Sequence, residues 1–383
     1  MHLNVRSLGN KVELIRILLL SRSLDILFLT ETWLDETWND KGLAVVGYNL
    51  FRRDREANNQ SRSCVGGGMV IYARDALMGK GRYYLESNEM EQMCIEVKQH
   101  RCASFFVSCL YRPPNTNAAF FQHLTQLVEL ISAEAKEIHF VGDFNIDLLR
   151  QNDPNSRRLR HLMENFGLHQ MIDKPTRITE QSRTLLDHHE YSSHPEHVLF
   201  TSVPSFGLSD HNLTILVRKQ NAHLRCRKGG HAWISSRSLK RVDTNTLIAD
   251  LKKIPWSILD IYSNDPDEML YIWNKLVLDV IDTHAPVKKR RVKTRDKPSS
   301  LTNEILEAIK HRDHLKKLFD QWKIPRGTYN KATTKVVRMV YKAMSLAIKN
   351  ELEENRQNSR LLWKALIKKS SVPVAKKNQW QTN

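Results

Sequence analysis

Short apolar runs bounded by turn-forming residues recur through the first half of the chain and limit the folds that it can adopt. Six of these runs have the length and composition of β-strands: residues 1–5, 25–30, 66–73, 104–111, 138–141 and 213–217. Helical spacing of apolar residues appears in segments 10–20 and 117–135. Several strands follow one another without an intervening helix. The pattern therefore predicts an α/β sandwich with mixed sheets, because a purely parallel sheet requires helical crossovers.

The balance of charge changes abruptly after Arg218. Residues 1–218 hold 24 Lys and Arg against 26 Asp and Glu, whereas residues 219–383 hold 35 against 16, which gives the chain its net charge of +17. A polycation of this kind favours nucleic acid through counterion release, with acidic proteins and membrane surfaces as weaker alternatives. We therefore expect a near-neutral globular domain, 1–218, followed by a strongly basic extension.

The basic extension divides into two predicted parts. Residues 219–298 are predicted to be a basic linker with short helices, and residues 299–383 a basic, mostly helical connector with Thr302 as a helix cap. The charge run 287–297 is expected to be unfolded without a partner. It is a candidate for binding RNA or DNA or for nuclear localisation, and a merely solvated charge run is the alternative. The candidate binding residues are Lys288, Lys289, Arg290 and Arg291.

Cysteine usage and hydropathy indicate an intracellular protein. The five cysteines show neither CxxC spacing nor an even-numbered framework, which is typical of reduced thiols. No apolar run reaches the length of a membrane span. The run 15–20 is flanked by charged Glu13, Arg16 and Arg22, which fits an amphipathic helix better than a secretion signal. We expect a nuclear or cytoplasmic protein without membrane contact.

Acidic and amide side chains stand at the ends of several predicted strands. Glu31 follows the strand 25–30, Asp143 follows the strand 138–141, and Asp210 precedes the last strand. Hydrolysis of a phosphodiester requires a metal ion, a base that activates water, and donors for the phosphoryl oxygens. Carboxylates that meet at neighbouring strand ends repel one another unless a cation lies between them. Taken singly, Glu31 is better explained as a cap or turn former, and Asp143 and Asp210 are equally well explained as turn or cap residues.

The order of the motifs is more informative than any one of them. NVRSL, ETW, a glycine-rich strand, LYRPP, GDFN, LLD and SDH occur in that order over residues 1–217. The set resembles the endonuclease/exonuclease/phosphatase superfamily, and more narrowly the endonuclease domain of non-LTR (LINE-type, jockey-like) retrotransposons. HAPVKKRRV and LLWKALIK resemble the connector toward a reverse transcriptase, whose paired-aspartate motif is missing. The resemblance implies a four-layered α/β sandwich of two mixed β-sheets flanked by helices.

The resemblance also implies how a metal ion and the attacking water are held. Glu31 matches the principal ligand of Mg²⁺, which Mn²⁺ can replace, and Asp210 of SDH assists it. Asp143 matches the carboxylate that orients or deprotonates the water. Asn145 and Asn4 match residues that hold this water or the phosphate oxygens. No small-molecule cofactor is implied.

A second group of residues is implied in phosphate binding. His211 matches the residue that binds the scissile phosphate and stabilises its transition state, oriented by a hydrogen bond to Asp187. Tyr111 of LYRPP matches a hydroxyl donor to the phosphate, and Arg112 is a candidate DNA contact. The implied product is a nick with a 3′-hydroxyl that primes reverse transcription. The implied partners are DNA and, through the basic extension, the element's RNA.

One segment departs from the family pattern. After Asp187 the sequence reads HHEYSS, where the family has an apolar strand. A zinc site formed by His188, His189, His194 and His197 is an alternative reading, although its spacing matches no usual ligand pattern. Two other functions stay open: another hydrolase of the superfamily, such as an inositol-phosphate phosphatase or sphingomyelinase, and a catalytically decayed relic that still binds nucleic acid.

Overall fold

The computed structural model describes residues 1–21, 24–55, 66–87, 89–98, 103–114, 116, 119–219, 231–238, 242–262, 266–293, 301–354 and 356. The strands are β1 His2–Asn4, β2 Ile26–Thr30, β3 Tyr48–Arg53, β4 Met69–Arg74, β5 Lys80–Gly81, β6 Glu91–Val97, β7 Phe105–Tyr111, β8 Ile138–Asp143, β9 His169–Gln170, β10 Arg177–Ile178, β11 Arg183–Thr184, β12 Asp187–Ser192, β13 Val198–Ser202, β14 Ile215–Arg218, β15 His231–Ser236 and β16 Lys288–Lys293. The α-helices are α1 Val12–Ser21, α2 Asp40–Leu43, α3 Ala119–Ser132, α4 Pro154–Asn165, α5 Thr244–Lys252, α6 Pro266–His284, α7 Asn303–Asp320 and α8 Arg326–Glu354.

Two mixed sheets form the centre of the fold. The four-stranded sheet has the order β1-β2-β4-β3, with β1 and β2 parallel and the other pairs antiparallel. The six-stranded sheet has the order β5-β6-β7-β8-β12-β9, and its one parallel pair is β7 with β8. The sequence-based prediction of an α/β fold with two mixed sheets is therefore confirmed.

Alternation of side chains along the strands explains why the sheets stack. In β7, Phe106 and Leu110 pack under helices, whereas Val107 and Cys109 pack against the other sheet. Successive side chains of a strand point to opposite faces, so a continuous apolar run is buried on both. The strands β2 and β4 follow the same rule. An apolar layer consequently lies between the sheets, and each outer face needs helices to cover it.

Helices cover both outer faces and complete four layers. Helices α3 and α4 pack on the six-stranded sheet. The outer face of the four-stranded sheet is covered by α1 and by α7 and α8, whose Ile305, Val336 and Val340 are buried there. The predicted cap is confirmed, since the Thr302 hydroxyl accepts from the Ile305 amide at 3.3 Å and begins α7. The first compact unit therefore comprises Met1–Cys226 and Asp296–Asn383.

The unusual HHEYSS segment forms a strand. It is β12, which pairs antiparallel with β8 and shifts register between His189 and Tyr191. His188 is fully buried, stacks on Phe144 with centroids 4.7 Å apart, and bonds the Ile146 carbonyl through Nε2 at 2.9 Å. Burial lowers the pKa of His188 to about 4, so the ring is neutral at physiological pH. A neutral imidazole here takes the place of an apolar core residue.

The second compact unit, Arg227–Arg295, contains α5, α6 and the pair β15–β16. The expectation that the charge run 287–297 is unfolded is wrong for Lys288–Lys293, which form β16 opposite β15. Strand pairing satisfies backbone donors and acceptors whatever the side chains carry. Positions 294–297 lie outside the described residues. None of the helices in the described ranges combines the length and apolarity that a bilayer-spanning segment requires.

Candidate active site

Three of the predicted residues lie in one row across the six-stranded sheet. Tyr111 of β7 is the register partner of Asp143 in β8, and Asp143 is the partner of Asp187 in β12. Asn4, at the end of β1, and Glu31, directly after β2, approach this row from the other sheet. Because the two sheets stack face to face, the ends of β1, β2, β7, β8 and β12 meet at one place. The sequence prediction that these strand ends converge is correct.

Asn4 joins the two sheets through its side-chain amide. Its Nδ2 donates to Glu31 Oε1 at 2.9 Å and to Asp143 Oδ2 at 2.7 Å, so the two carboxylate oxygens lie no more than 5.6 Å apart. The Tyr111 hydroxyl donates to the same Glu31 oxygen at 3.0 Å. Burial, with the charges of Glu31 and Asp143, raises the pKa of Tyr111, which remains a neutral donor. These bonds fix the positions of both carboxylates.

The backbone at two of the site residues adopts an unusual conformation. Glu31 has φ of 52° and Asn145 has φ of 47°, conformations that non-glycine residues seldom adopt. The Asn145 amide donates to Asp143 Oδ1 at 2.9 Å, and its side-chain Nδ2 donates to the Arg112 carbonyl at 2.7 Å. Non-glycine residues in such sparsely populated conformations cluster at active sites. The turn after β8 therefore orients both Asp143 and Asn145.

Gly142 allows β7 and β8 to pair closely beside the site. Its φ is +146°, and a Cβ added there would lie 1.8 Å from the Leu110 carbonyl oxygen of β7. No side chain fits in that space, so only glycine permits this register. The glycine of GDFN consequently determines where Asp143 stands.

His211 and Asp187 form a buried ion pair. His211 Nδ1 lies 2.6 Å from Asp187 Oδ2, and the Asp187 backbone amide donates to Thr176 Oγ1 at 3.0 Å. Ligand atoms of Asp143, Asp187 and His211 all lie within 4.8 Å of one another. The ring orientation predicted for His211 is the one observed. Because Nδ1 is bound to Asp187, the opposite ring nitrogen, Nε2, is the one that can meet a phosphate oxygen.

The pKa values of His211, Asp143 and Asp187 are all shifted from their ordinary values. Burial would lower the pKa of His211, but the charge of Asp187 and its hydrogen bond raise the pKa to about 9. Burial, together with the charge of Asp187, raises the pKa of Asp143 to about 7. Burial would also raise the pKa of Asp187, which the cationic His211 lowers instead. A cationic imidazole can bind a phosphate, and a carboxylate that titrates near neutrality can accept a proton from water.

Asp210 is held by two arginines. Its Oδ2 accepts from Arg6 Nη1 at 3.2 Å and from Arg177 Nε at 3.1 Å. Burial would raise the pKa of Asp210, but the positive charges of His211, Arg6 and Arg177 lower it to about 2. Its other oxygen, Oδ1, is buried and has no hydrogen-bond partner among the described residues. Asp210 is therefore an ionised carboxylate with one buried oxygen unsatisfied.

The donor set fits a hard divalent cation. Carboxylate oxygens are the preferred ligands of Mg²⁺, and within the described ranges Asp187 Oδ1 is a second buried oxygen without a hydrogen-bond partner. Burial, and after it the charge of Asp187, raises the pKa of Asp143, and a bound cation would oppose this shift. Ligand atoms of Asp143, Asp187 and His211 are close enough together to surround one ion, and the pair Glu31 and Asp210 that the sequence suggests as metal ligands stays a prediction. Glu31 joins that group through the shared Asn4 amide.

The predicted role of Arg112 in binding nucleic acid needs correction. Arg112 is only 5% exposed, and its guanidinium donates to the carbonyls of Asn145 at 3.3 Å and Thr116 at 3.2 Å. It also lies over the Phe120 ring at 5.1 Å. The side chain is turned inward and supports the loop that carries Asn145. The basic residues Lys288, Lys289, Arg290 and Arg291 belong to β16 of the second unit.

Arg6 and Arg177 were missed by sequence reasoning. Arg6 lies inside the NVRSL motif, two residues after Asn4, so this position in the sequence could have identified Arg6 as a candidate site residue. Arg177 is 33 residues from Asp210 in sequence, and a bridge between Arg177 and His211 brings it near. No local pattern marks it. Its side chain is 38% exposed and that of Arg6 is 51% exposed, so both remain accessible to a ligand.

The alternative zinc site does not assemble as a group of four histidines. His188 is buried in the core beside Phe144. His194 and His197 stack on each other at the surface, and with Glu196 they form a separate exposed group. The side chain of His189 lies outside the described residues.

Comparisons with known proteins agree with this geometry. The profile of the Endonuclease/Exonuclease/phosphatase family matches residues 1–211. The chain belongs to this family. Members of the Endonuclease/Exonuclease/phosphatase family hydrolyse phosphate esters, and the chain is a phosphodiester-hydrolysing enzyme with an acidic cluster able to hold a divalent cation. No curated protein sequence matches the chain significantly.

Three solved structures are similar in fold. The endonuclease domain of TRAS1, a telomere-specific non-LTR retrotransposon, is 15% identical with a TM-score of 0.45, over 57% of this chain and 96% of that one. The 3′ phosphatase NExo from Neisseria, bound to product DNA hairpin, is 16% identical with a TM-score of 0.44, over 57% and 98%. An AP endonuclease from Archaeoglobus fulgidus is 14% identical with a TM-score of 0.41, over 57% and 98%.

Proposed function

We propose that this member of the Endonuclease/Exonuclease/phosphatase family is a Mg²⁺-dependent DNA endonuclease. It hydrolyses one phosphodiester bond and leaves a nick with a 3′-hydroxyl, as target-primed retrotransposition requires. The observation that carries the proposal is the convergence of five separate strand ends on one polar site. Asn4, Glu31, Tyr111, Asp143 and the Asp187–His211 pair meet there.

In this proposal the side chains have separate catalytic roles. Glu31 and Asp210 hold the divalent cation, which supplies Lewis-acid stabilisation of the developing charge when bound. Asp143, with a pKa of about 7, accepts a proton from the attacking water. Cationic His211 donates to a non-bridging phosphate oxygen. Neutral Tyr111 donates to the same phosphate.

Charge favours DNA as the substrate over a small phosphate ester. Arg6 and Arg177 lie beside Asp210 and are accessible, so each can contact a backbone phosphate on either side of the scissile bond. The chain has a net charge of +17, which supplies non-specific affinity for a polyanion. The ordered motifs and the connector-like segments support an origin in a non-LTR retrotransposon.

The first test is nicking of supercoiled plasmid by the full chain in Mg²⁺. We expect relaxed circles from the parent protein and a loss of about 10²–10³ in rate for His211→Ala, because a preorganised electrostatic donor is removed. Glu31→Gln should be equally impaired. The exposed Glu36→Gln and His161→Ala serve as matched controls and should nick at the parent rate.

Two further outcomes distinguish the alternatives. A 3′-hydroxyl at the nick is confirmed if a DNA polymerase extends it without prior phosphatase treatment. Chelator-resistant cutting that survives both active-site substitutions would contradict the proposal. Tight DNA binding without any cutting would favour a decayed nucleic-acid-binding relic.

A further inference from the structure

Helices α7 and α8 form a C-terminal hairpin that packs against segments bearing proposed active-site residues. We propose that this hairpin positions the active site, with Arg312 and Tyr329 as positioning residues for the segment Phe206–His211. The inference rests on the proposed function and extends it, because sequence reasoning treats this part of the chain as a basic connector. The contacts fall into two groups, one on the SDH segment and one on the β10–β11 hairpin.

Arg312 of α7 packs against the start of the SDH segment. Its side chain is 1% exposed, and its guanidinium lies 5.8 Å from the Phe206 ring centroid. Asp313 accepts from Arg312 Nε and Nη2 and also from the Gly207 amide at 3.2 Å. A Cβ added to Gly207 would lie 2.5 Å from Arg312 Nε and 2.8 Å from its Cδ. The backbone at position 207 therefore rests directly on a buried side chain of α7.

Tyr329 of α8 reaches the middle of the same segment. Its ring stacks on Phe319, and its hydroxyl lies 3.5 Å from the Ser209 carbonyl oxygen. Ser209 in turn donates through Oγ to the Asn4 carbonyl at 2.6 Å and accepts from the His211 amide at 2.9 Å. A displacement of Ser209 would therefore shift both Asn4 and His211.

The loop between α7 and α8 holds the β10–β11 hairpin. Trp322 donates through Nε1 to the Thr179 carbonyl at 2.9 Å, and the Arg183 guanidinium lies 4.3 Å from the Trp322 ring centroid. This β-hairpin carries Arg177, which bonds Asp210. Both sides of the Asp210–His211 pair are therefore contacted by segments that the C-terminal hairpin supports.

The hairpin contains buried cations, which distinguishes it from a basic tail that only attracts DNA. Arg312 is 1% exposed and Lys316 is 0% exposed, and Lys316 Nζ lies 2.6 Å from Asp320 Oδ1. A buried ion pair adds little net stability, since desolvation offsets the attraction, but it disfavours other arrangements that leave a charge unpaired. Cations that bind DNA phosphates would remain in solvent. Arg312 instead packs against Phe206 and Gly207, and Lys316 is buried inside the hairpin beside Phe319 and Tyr329.

The test is a double-mutant cycle between Gly207 and Arg312 in the full chain. Gly207→Ala introduces the clash with Arg312, and Arg312→Ala removes the three side-chain atoms that the new Cβ would meet. Gly327→Ala is the matched control, because nothing lies within 4 Å of a Cβ there. Nicking kcat, KM for DNA, Mg²⁺ required for half-maximal rate, and thermal unfolding are measured for all variants.

We expect Gly207→Ala to lower kcat by about tenfold to a hundredfold, because misplacement of catalytic groups by about 1 Å has effects of this size. KM for DNA should change little, and the Mg²⁺ requirement should rise as Asp210 is displaced. The double variant should be less impaired than the two single effects combined, since the clash is gone. If Gly207→Ala only lowered the fraction of folded protein, the Mg²⁺ concentration required for half-maximal rate would not change.

Three results would overturn the positioning role. They are a Gly207→Ala variant that matches Gly327→Ala, a kcat loss with an unchanged Mg²⁺ requirement, and simple additivity of the two single effects. A parent chain that does not nick would contradict the proposed function itself. An active parent with a fully active Gly207→Ala variant would contradict only the inference about the C-terminal hairpin.

Discussion

Among single residues, Asn4 connects the two sheets at the site. It is 1% exposed, and its amide is shared between carboxylates from opposite sheets. Asn can do this and Asp cannot, because a carboxylate offers no donor to Glu31 or Asp143. The residue therefore works as a neutral bridge between two acids that would otherwise repel each other.

Glu137 is a second residue whose surroundings lead to a prediction, in this case about pH. It accepts from Arg218 Nε at 2.8 Å, from His139 at 2.7 Å and from His197 at 3.0 Å, and its side chain is 10% exposed. Burial would raise the pKa of Glu137, but the bonds from Arg218 and His139 lower it well below 4.5. A carboxylate with a depressed folded-state pKa stabilises the fold above its unfolded pKa, and this contribution is lost as pH falls.

We therefore expect Glu137→Gln to lower the melting temperature at pH 6, and the difference from the parent to shrink below about pH 4.5. Thermal unfolding followed by circular dichroism between pH 6 and pH 3.5 checks this. Glu129→Gln, at an exposed position of α3, is the control and should show no such trend. A Glu137→Gln difference that stays constant with pH would refute the assignment.

Among the secondary-structure elements, the close pairing of β7 with β8 determines where Asp143 stands. Gly142→Ala should destabilise the protein by about 3 kcal/mol or more and abolish nicking, because its Cβ would overlap the Leu110 carbonyl. Gly167→Ala is the control: its φ is also positive, at +64°, but nothing lies within 4 Å. That substitution should cost only about 1 kcal/mol.

Chemical denaturation measures both stabilities, and the plasmid assay measures both activities. Equal destabilisation by Gly142→Ala and Gly167→Ala would show that backbone conformation alone, and not the close approach to β7, matters at position 142. If the Gly142→Ala variant still nicked DNA, the close pairing of β7 with β8 would not be required to position Asp143.

Across the molecule as a whole, the basic half of the chain contains both buried and exposed cations. Arg312 and Lys316 are buried and support the fold. Four exposed cations of α8 recur at intervals of four, three and four residues and so share one face of the helix: Lys331, Lys335, Arg338 and Lys342. This stripe is a candidate for the contact with DNA phosphates.

We expect replacement of all four stripe residues by alanine to weaken DNA binding at low salt. The slope of log K against log salt should become shallower by about 0.9 for each cation that contacts a duplex phosphate. Nicking kcat at saturating DNA should be unchanged. Thr334→Ala with Ser345→Ala, two exposed positions of α8, is the control. An unaltered salt slope would exclude the stripe as a phosphate-binding surface.

Local patterns in the amino-acid sequence predicted six of the strands but missed β3 and β6, and the order of the motifs singled out most of the residues that the structure brings together at the candidate site. Continuous apolar runs bounded by glycine and proline are buried on both faces, so strands such as β7 and β8 could be located from their residues alone. The acids and amides that follow them are conspicuous because such residues interrupt a core. Glu31 and Asp143 could therefore be selected from local pattern, whereas His211 was selected from the order of the motifs.

The way in which distant segments combine depends on tertiary contacts that no local pattern contains. Arg177 reaches Asp210 because β10 bridges to His211, and Arg112 turns inward because carbonyls of its neighbours need a donor. A charge-rich helix and a solvated tail have similar composition, so α7 could not be recognised as part of the scaffold. Burial of Arg312 depends on Gly207, more than a hundred positions away, and neighbouring residues carry no information about such pairs.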